Sequence, residues 1–369
     1  MVLFPSLLDG LARSVSTKKR RNSIGDDVGR GAAETMAKDA KRNELLLTSS
    51  GILKSNKSNN FASVSSKKGQ KGTNQDSTIV WEEFGGQEDM IFCGIFDGHG
   101  PWGHIIAKKV RNSVPPSLLC NWQETVASSS TSLDLEYNNP SDQYDIWKQS
   151  YLKTYAAVDE ELKHHPTIDS FCSGTTALTV VKQGENLMVA NAGDSRAVLA
   201  VSADDGKSLV ALQLTVDFKP SLPEEAERIK ESKGQVLCLE DEPGVYRVWR
   251  PNGKSPGLAL SRALGDYCVK EFGLISVPHV TDTQITNRHQ FLILATDGVW
   301  DVISNQEAVE IVSATREREK SAKKLVESAA QAWKYNKRGI AMDDMSAICL
   351  FFHPPPSHHP LHFSKPNPA

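Results

Sequence analysis

The run Met90-Ile-Phe-Cys-Gly-Ile-Phe-Asp-Gly-His-Gly100 is apolar or small for seven residues, then meets a carboxylate, a glycine and a histidine. Three other segments have the same shape. Leu187-Met-Val-Ala-Asn-Ala192 runs into Gly193-Asp-Ser-Arg196 and resumes as Ala197-Val-Leu-Ala-Val201. Phe291-Leu-Ile-Leu-Ala-Thr296 runs into Asp297-Gly-Val-Trp-Asp301, and Asp343-Asp-Met-Ser346 precedes Ala347-Ile-Cys-Leu-Phe-Phe352. All four are short, flanked by turn residues and rich in β-branched and aromatic side chains, so they read as buried strands. Thr175–Lys182 should pair with Leu187–Ala192 as a hairpin across Gln183-Gly-Glu-Asn186.

Helical patterns lie between the strands. Tyr144–Lys163 places Trp147, Tyr151, Tyr155, Val158 and Leu162 on one face. Pro223–Lys233 opens on a first-turn proline and closes before Gly234. Ser304-Asn-Gln-Glu307 matches a capping box, and Ala322–Tyr335 is a further helix. Grouped strands with paired helices predict an α+β sheet sandwich, not strict βαβ alternation.

The 369 residues carry 42 basic and 45 acidic side chains, a net charge of −3 that hides a split. Residues 1–70 hold 13 basic and 6 acidic groups, so the remainder carries −10. A hydrophobic content of 39% excludes a wholly disordered chain. No apolar stretch reaches the roughly 18 residues that span a bilayer. The six cysteines form no CxxC pair and read as reduced thiols of an intracellular protein, in cytoplasm, nucleus or both.

Three segments are expected: a basic, largely flexible leader (1–70), a folded domain (71–352) and a disordered Pro/His-rich tail (353–369). Within the leader, residues 48–69 read as a linker rich in Ser, Asn, Lys and Gly. Leu3, Leu7, Leu8 and Leu11 at helical spacing, followed by Lys18–Arg21, leave four readings open. These are a helix in peripheral contact with a membrane, a nuclear-import patch, a partner-docking helix, or a weakly ordered tail. A secretory signal would place its charges before the apolar run, and Val2 excludes N-myristoylation.

A lone strand-ending aspartate usually caps a turn. Here Asp97, Asp194, Asp297, Asp301 and Asp343 all stand at the edges of apolar runs, so packing the strands together concentrates negative charge at one sheet edge. Carboxylates that close repel unless a cation joins them, and Mg²⁺ and Mn²⁺ prefer such oxygen ligands. Glycine after Asp97 and after Asp297 leaves the backbone uncluttered there. His99 alone would read as a turn histidine; beside a metal it becomes a proton donor to a leaving oxygen. Hard cations with a proton donor suit phosphoester hydrolysis. No cysteine is followed five residues later by arginine, and there is neither a P-loop nor a kinase-type catalytic loop.

These residues resemble the PPM/PP2C family of metal-dependent Ser/Thr protein phosphatases. Phe96-Asp-Gly-His-Gly100, Ala192-Gly-Asp-Ser-Arg196, Ala295-Thr-Asp-Gly-Val-Trp-Asp-Val302 and Asp343-Asp-Met-Ser346 stand in the family's order. Ser173-Gly-Thr-Thr-Ala177 and Ser261-Arg-Ala-Leu-Gly-Asp266 support them. Taken whole, the chain is similar to the plant branch called clade E, including its growth-regulating members.

The resemblance implies a β-sandwich of two antiparallel sheets flanked by helix pairs, with two or more Mg²⁺ or Mn²⁺ ions at one end. Asp97 would bridge two ions, Gly98 would offer its carbonyl, and Asp297 and Asp343 would bind the second ion. Asp194, Asp297 and Asp301 would form a weaker third site, and Asp76 would be a further metal residue. His99 would be the general acid, while metal-bound water attacks phosphorus directly. Lys71 stands where the family often has a phosphate-gripping Arg and supplies charge without the bidentate fork. Gln75 replaces a frequent Glu, and Phe218 a frequent His. Arg262 and Trp249 are read as substrate or flap residues. A hormone-sensing role for Trp249 is disfavoured by its neighbours Val248 and Arg250-Pro-Asn-Gly253.

The reading is therefore a monomeric phosphatase acting on phosphoserine and phosphothreonine in proteins, protein kinases among them, in plant stress or growth signalling. No nucleic-acid partner is expected. The rival is a catalytically weak phosphatase-like scaffold that sequesters a kinase, for which Lys71 and Gln75 are the only hints.

Overall fold

The computed structural model describes residues 52–53, 61–129, 140–240, 242–251 and 257–354. One sheet contains β1 (Ile52–Leu53), β3 (Asp76–Glu82), β4 (Met90–His99), β6 (Ala177–Gln183), β7 (Asn186–Ala192) and β13 (His279–Gln284) in spatial order. The short β5 (Gly174–Thr175) and β12 (Leu264–Gly265) extend it at one end. The second sheet runs β2 (Phe61–Lys67), β15 (Met345–Phe351), β14 (His289–Ala295), β8 (Arg196–Ser202) and β9 (Leu209–Gln213). A separate hairpin joins β10 (Gln235–Cys238) to β11 (Tyr246–Trp249).

Strand alternation builds the layers. In β4, Ile91, Cys93 and Ile95 meet Leu292 and Leu294 of β14 and Ile348 and Leu350 of β15 between the sheets. Phe92 and Phe96 face the other way. They pack beneath α1 (Gly103–Ser129) and α2 (Pro140–Lys163), where Trp147, Tyr151, Tyr155, Val158 and Leu162 are all buried. On the opposite side, Phe291, Ile293 and Ala295 pack under α6 (Asn305–Ala314) and α7 (Ser321–Asn336). Two short helices, α4 (Tyr267–Lys270) and α5 (Asp297–Trp300), follow β12 and β14. The result is the expected sandwich between helix pairs. The β6–β7 hairpin forms across the expected turn, with Gly184 at φ +55°.

Ser304 accepts from the Glu307 amide while Glu307 reaches back to the Ser304 amide, so the capping box is present. α3 (Pro223–Glu231) ends two residues earlier than expected. Its Ile229 packs with Val248, Leu260, Val269 and Leu274 in a small separate core beneath the β10–β11 hairpin, which we call the flap.

The domain boundary at residue 71 is corrected. Phe61–Lys67 is a full strand, antiparallel to β15 from Lys67↔Met345 to Phe61↔Phe351, and Ile52–Leu53 pairs with β3. The Ser-rich segment is held through its backbone and its hydroxyls: Ser63 Oγ accepts from the Ala322 amide, and Ser346 Oγ donates to Ser66 Oγ. The leucines at Leu3–Leu11, the basic run at Lys18–Arg21 and most of the Pro/His tail lie outside the described residues.

Candidate functional site

Strand register brings the aspartates together. Asp76 is the cross-strand partner of Asp97. Asp97 follows the parity of Ile91, Cys93 and Ile95, and Asp76 that of Val80, so both carboxylates lie where the inter-sheet layer opens. Ala295↔Arg196 and Ala295↔Ala347 pairing sets the start of α5, the β7–β8 turn and the entry to β15 at that same end. Asp297, Asp194 and Asp343 stand on those three segments. Asp76, Asp297, Asp343 and Asp194 all act electrostatically on Asp97, and Asp194, Asp343 and Asp301 on Asp297. Asp301 follows one helical turn after Asp297, its amide donating to the Asp297 carbonyl at 2.8 Å.

The backbone here is tightly held. The Asp97 amide donates to Thr176 Oγ1 at 3.0 Å, and its carbonyl accepts from the Thr176 amide at 2.9 Å and Thr175 Oγ1 at 3.1 Å. Gly98 is boxed in by the Gly103 and Gln75 carbonyls, so a Cβ there would collide with backbone. Asp76 Oδ2 accepts from Thr296 Oγ1 at 3.0 Å.

Enclosure strips these carboxylates of water, and their neighbours repel their charge. Asp97 is pushed well above the usual carboxylate range by burial, then by Asp76, Asp297, Asp343 and Asp194. Burial, Asp194 and Asp343 do the same to Asp297, with Lys219 opposing. Burial raises Asp76 to about 7. Asp76 Oδ1, Asp297 Oδ1 and Gln75 Oε1 are buried without a hydrogen-bond partner. Orphaned anionic oxygens in a cluster of uncompensated charge are the donor set a hard divalent cation takes. Among the described residues, no three His, Cys, Asp or Glu side chains close into a finished metal cage. Mg²⁺ and Mn²⁺ sites keep several waters and use carbonyls, so an open carboxylate cluster still fits them.

His99 Nε2 lies 2.6 Å from Asp266 Oδ2. Burial opposes protonation of His99, but the charge and hydrogen bond of Asp266 outweigh it and hold the imidazole above its ordinary range. Asp266, 4% exposed, was not picked out by sequence reasoning, although it closes the Ser261–Asp266 block. Lys71 forms an ion pair with Asp343. Burial works against the Lys71 charge, yet Asp343, then Asp297 and Asp97, hold its ammonium above the usual value. The neighbouring Asp344 was also missed. Its carboxylate accepts from the Gly69 and Gln75 amides at 2.7 and 2.8 Å and ties the Lys71 loop to the start of β15.

Arg262 and Trp249 stand apart from the carboxylates. The Arg262 fork is engaged by Glu225, its Nη1 donates to the Val277 carbonyl at 3.1 Å, and its guanidinium stacks 3.8 Å from the Phe218 ring. It anchors the flap, and its Nε–Nη2 edge is committed to Glu225. Trp249 donates from Nε1 to the Leu237 carbonyl at 3.3 Å and packs against Gly257, a flap-packing role.

A model of the family described as protein phosphatase 2C matches residues 59–336. The chain is 62% identical to "Probable protein phosphatase 2C 73" of Arabidopsis thaliana, over 95% of this chain and 94% of that one. It is 55% identical to "Probable protein phosphatase 2C 48" of Oryza sativa subsp. japonica, over 95% and 99%. Among solved structures, the serine-threonine phosphatase 2C from Toxoplasma gondii superposes with a TM-score of 0.71 at 28% identity, covering 80% of this chain and 96% of that one. Its fold, the gathering of its motif blocks at one end of the sandwich and these likenesses agree: the chain belongs to the protein phosphatase 2C family of serine/threonine phosphatases.

Proposed function

We propose that this chain hydrolyses phosphoserine and phosphothreonine in proteins at the cleft around Asp97, with Mg²⁺ or Mn²⁺ held by Asp97, Asp297 and Asp343 and the Gly98 carbonyl. The observation that carries the reading is the pair of buried, unpartnered oxygens on Asp76 and Asp297 inside a cluster of mutually repelling carboxylates. Bound cations would supply an activated water and neutralise charge on the phosphoryl group. Lys71, 53% exposed, would turn from Asp343 to draw in the phosphate as a point charge. His99, with Asp266 as its counter-charge, would deliver a ring proton to the leaving seryl or threonyl oxygen. Asp344 would keep Lys71 in reach by holding its loop.

Stress or growth signalling, protein-kinase substrates, a clade E place, an intracellular location and a monomeric state form part of the same proposal. They rest on the motif resemblance and the plant relatives. Among the described residues no helix is long and apolar enough to cross a membrane. The test is hydrolysis of a phosphothreonine peptide and of a sugar phosphate by the full chain, in Mn²⁺ and in EDTA, with circular dichroism confirming the fold. Metal-stimulated turnover of the peptide over the sugar phosphate is expected. A folded protein with no metal-stimulated turnover would refute the proposal and favour a scaffold.

A further inference from the structure

Besides Lys71, a second ammonium, that of Lys219, is already present at the carboxylate cluster. Its Nζ donates to Asp194 Oδ2 at 2.6 Å. Asp194 is 6% exposed and Lys219 42% exposed, so the carboxylate is enclosed while the ammonium keeps a path to water. Asp297 and Asp301 act on the same ammonium. One lysine head is thus bonded to Asp194 and feels the charge of the other two carboxylates that the outermost cation position would use.

The stem of Lys219 is fixed at its base. The Phe218 amide donates to the Gly193 carbonyl at 3.0 Å, and the Phe218 carbonyl accepts from the Ser261 amide at 3.0 Å. Arg196 holds the adjacent Asp217 through Nε at 3.1 Å and Nη2 at 2.5 Å. Phe218 itself is covered by Arg262. The backbone therefore cannot withdraw, but the four-carbon side chain can rotate out to solvent and return.

We propose that Lys219 is a built-in competitor for the outermost divalent-cation position, holding Asp194 until a divalent ion displaces it. This rests on the carboxylate cluster being a divalent-cation centre. A cation arriving at Asp194, Asp297 and Asp301 must break the Lys219 pair, and one arriving at Asp343 must break the more exposed Lys71 pair, whereas no such pair is recorded for the Asp97 carboxylate. Exchange at the enclosed Asp194 weakens the outer position relative to the one at Asp97 and Gly98. Removing a partly exposed pair of this kind should tighten it by about fivefold to tenfold.

The experiment is Mn²⁺ titration of the full chain, followed by electron paramagnetic resonance of free Mn²⁺ and by calorimetry, for wild type, Lys219→Met and Lys219→Arg. Lys219→Met should tighten the weakest Mn²⁺ step by about fivefold to tenfold and leave the tighter steps unchanged. Lys219→Arg, which keeps the charge, should bind like wild type. In EDTA, Lys219→Met should melt below wild type, because Asp194 loses its partner, and Mn²⁺ should narrow that gap. A weakest step unchanged in Lys219→Met, or tightened equally in Lys219→Arg, overturns the competition while leaving the cation centre standing. Wild type that binds no Mn²⁺ at all overturns both.

Discussion

Glu225 offers a quantitative test of how the flap is attached. It lies in the first turn of α3, 2% exposed, and accepts from two guanidinium groups. Arg228 donates Nη1 and Nη2 at 2.7 and 2.8 Å, and Arg262 donates Nη2 at 2.7 Å. Burial alone would raise the carboxyl, but the two arginines overcome it and bring it from 4.5 to about 2. At about 1.4 kcal/mol per pH unit, that shift corresponds to roughly 3 kcal/mol. Because the folded value lies below the unfolded one, this stability is present above about pH 4.5 and is lost as pH falls towards 2. Glu225→Gln keeps the volume and removes the charge, leaving Arg228 and Arg262 without a counter-ion. Urea denaturation should show a loss of about 3 kcal/mol at pH 7, the size expected for breaking a buried pair. The difference from wild type should close as pH falls from about 4.5 towards 2. A loss below about 1 kcal/mol, as for a surface pair, or a difference that ignores pH would refute the reasoning.

Other outcomes follow from single contacts. Asp266→Asn removes the counter-charge of His99 and should lower turnover of phosphopeptides by about tenfold to a hundredfold, with little effect on melting; unchanged turnover would detach Asp266 from catalysis. His99→Ala should slow phosphopeptides more than aryl phosphates, whose leaving groups need no proton, and equal slowing would remove it from the acid role. Tyr155→Phe deletes the buried hydroxyl that contacts Thr179 Oγ1 at 3.0 Å and the Ala177 carbonyl at 3.2 Å, and chemical denaturation should show about 1–2 kcal/mol lost. Ser304→Ala breaks the α6 capping box at a cost of about 1 kcal/mol, read by thermal unfolding.

The parts of the fold that were legible in the sequence are those whose local signal and tertiary burial agree. The apolar runs that reach Asp97, Ala192 and Ala295 are apolar on both faces because helices cover one side and the second sheet the other. β2 was misread because Phe61-Ala-Ser-Val-Ser-Ser-Lys67 has the composition of a linker, and its pairing partner β15 lies far along the chain. α1 went unread because Pro115 and Pro116 interrupt it, although Ile106, Val110, Val114 and Leu118 keep helical spacing and are buried. The candidate site was legible where a carboxylate ended a strand. It was not legible where a residue acts through a partner remote in sequence. Asp266 reaches His99 across 167 positions, Asp344 reaches Gln75 across 269, and Lys219 covers Asp194 from the segment after β9. The Nε–Nη2 edge of Arg262 is committed to Glu225, a partner 37 positions away that its own segment does not signal.

The central claim is that the carboxylates gathered around Asp97 form a cation centre for phosphoester hydrolysis. Its most direct measurement is the rate of phosphothreonine-peptide hydrolysis by wild type and Asp97→Asn in saturating Mn²⁺, with melting recorded for both in EDTA. The account predicts loss of activity in Asp97→Asn and, without metal, a melting temperature at or above wild type, since one of the repelling charges is gone. Wild-type activity in a folded Asp97→Asn protein would contradict it.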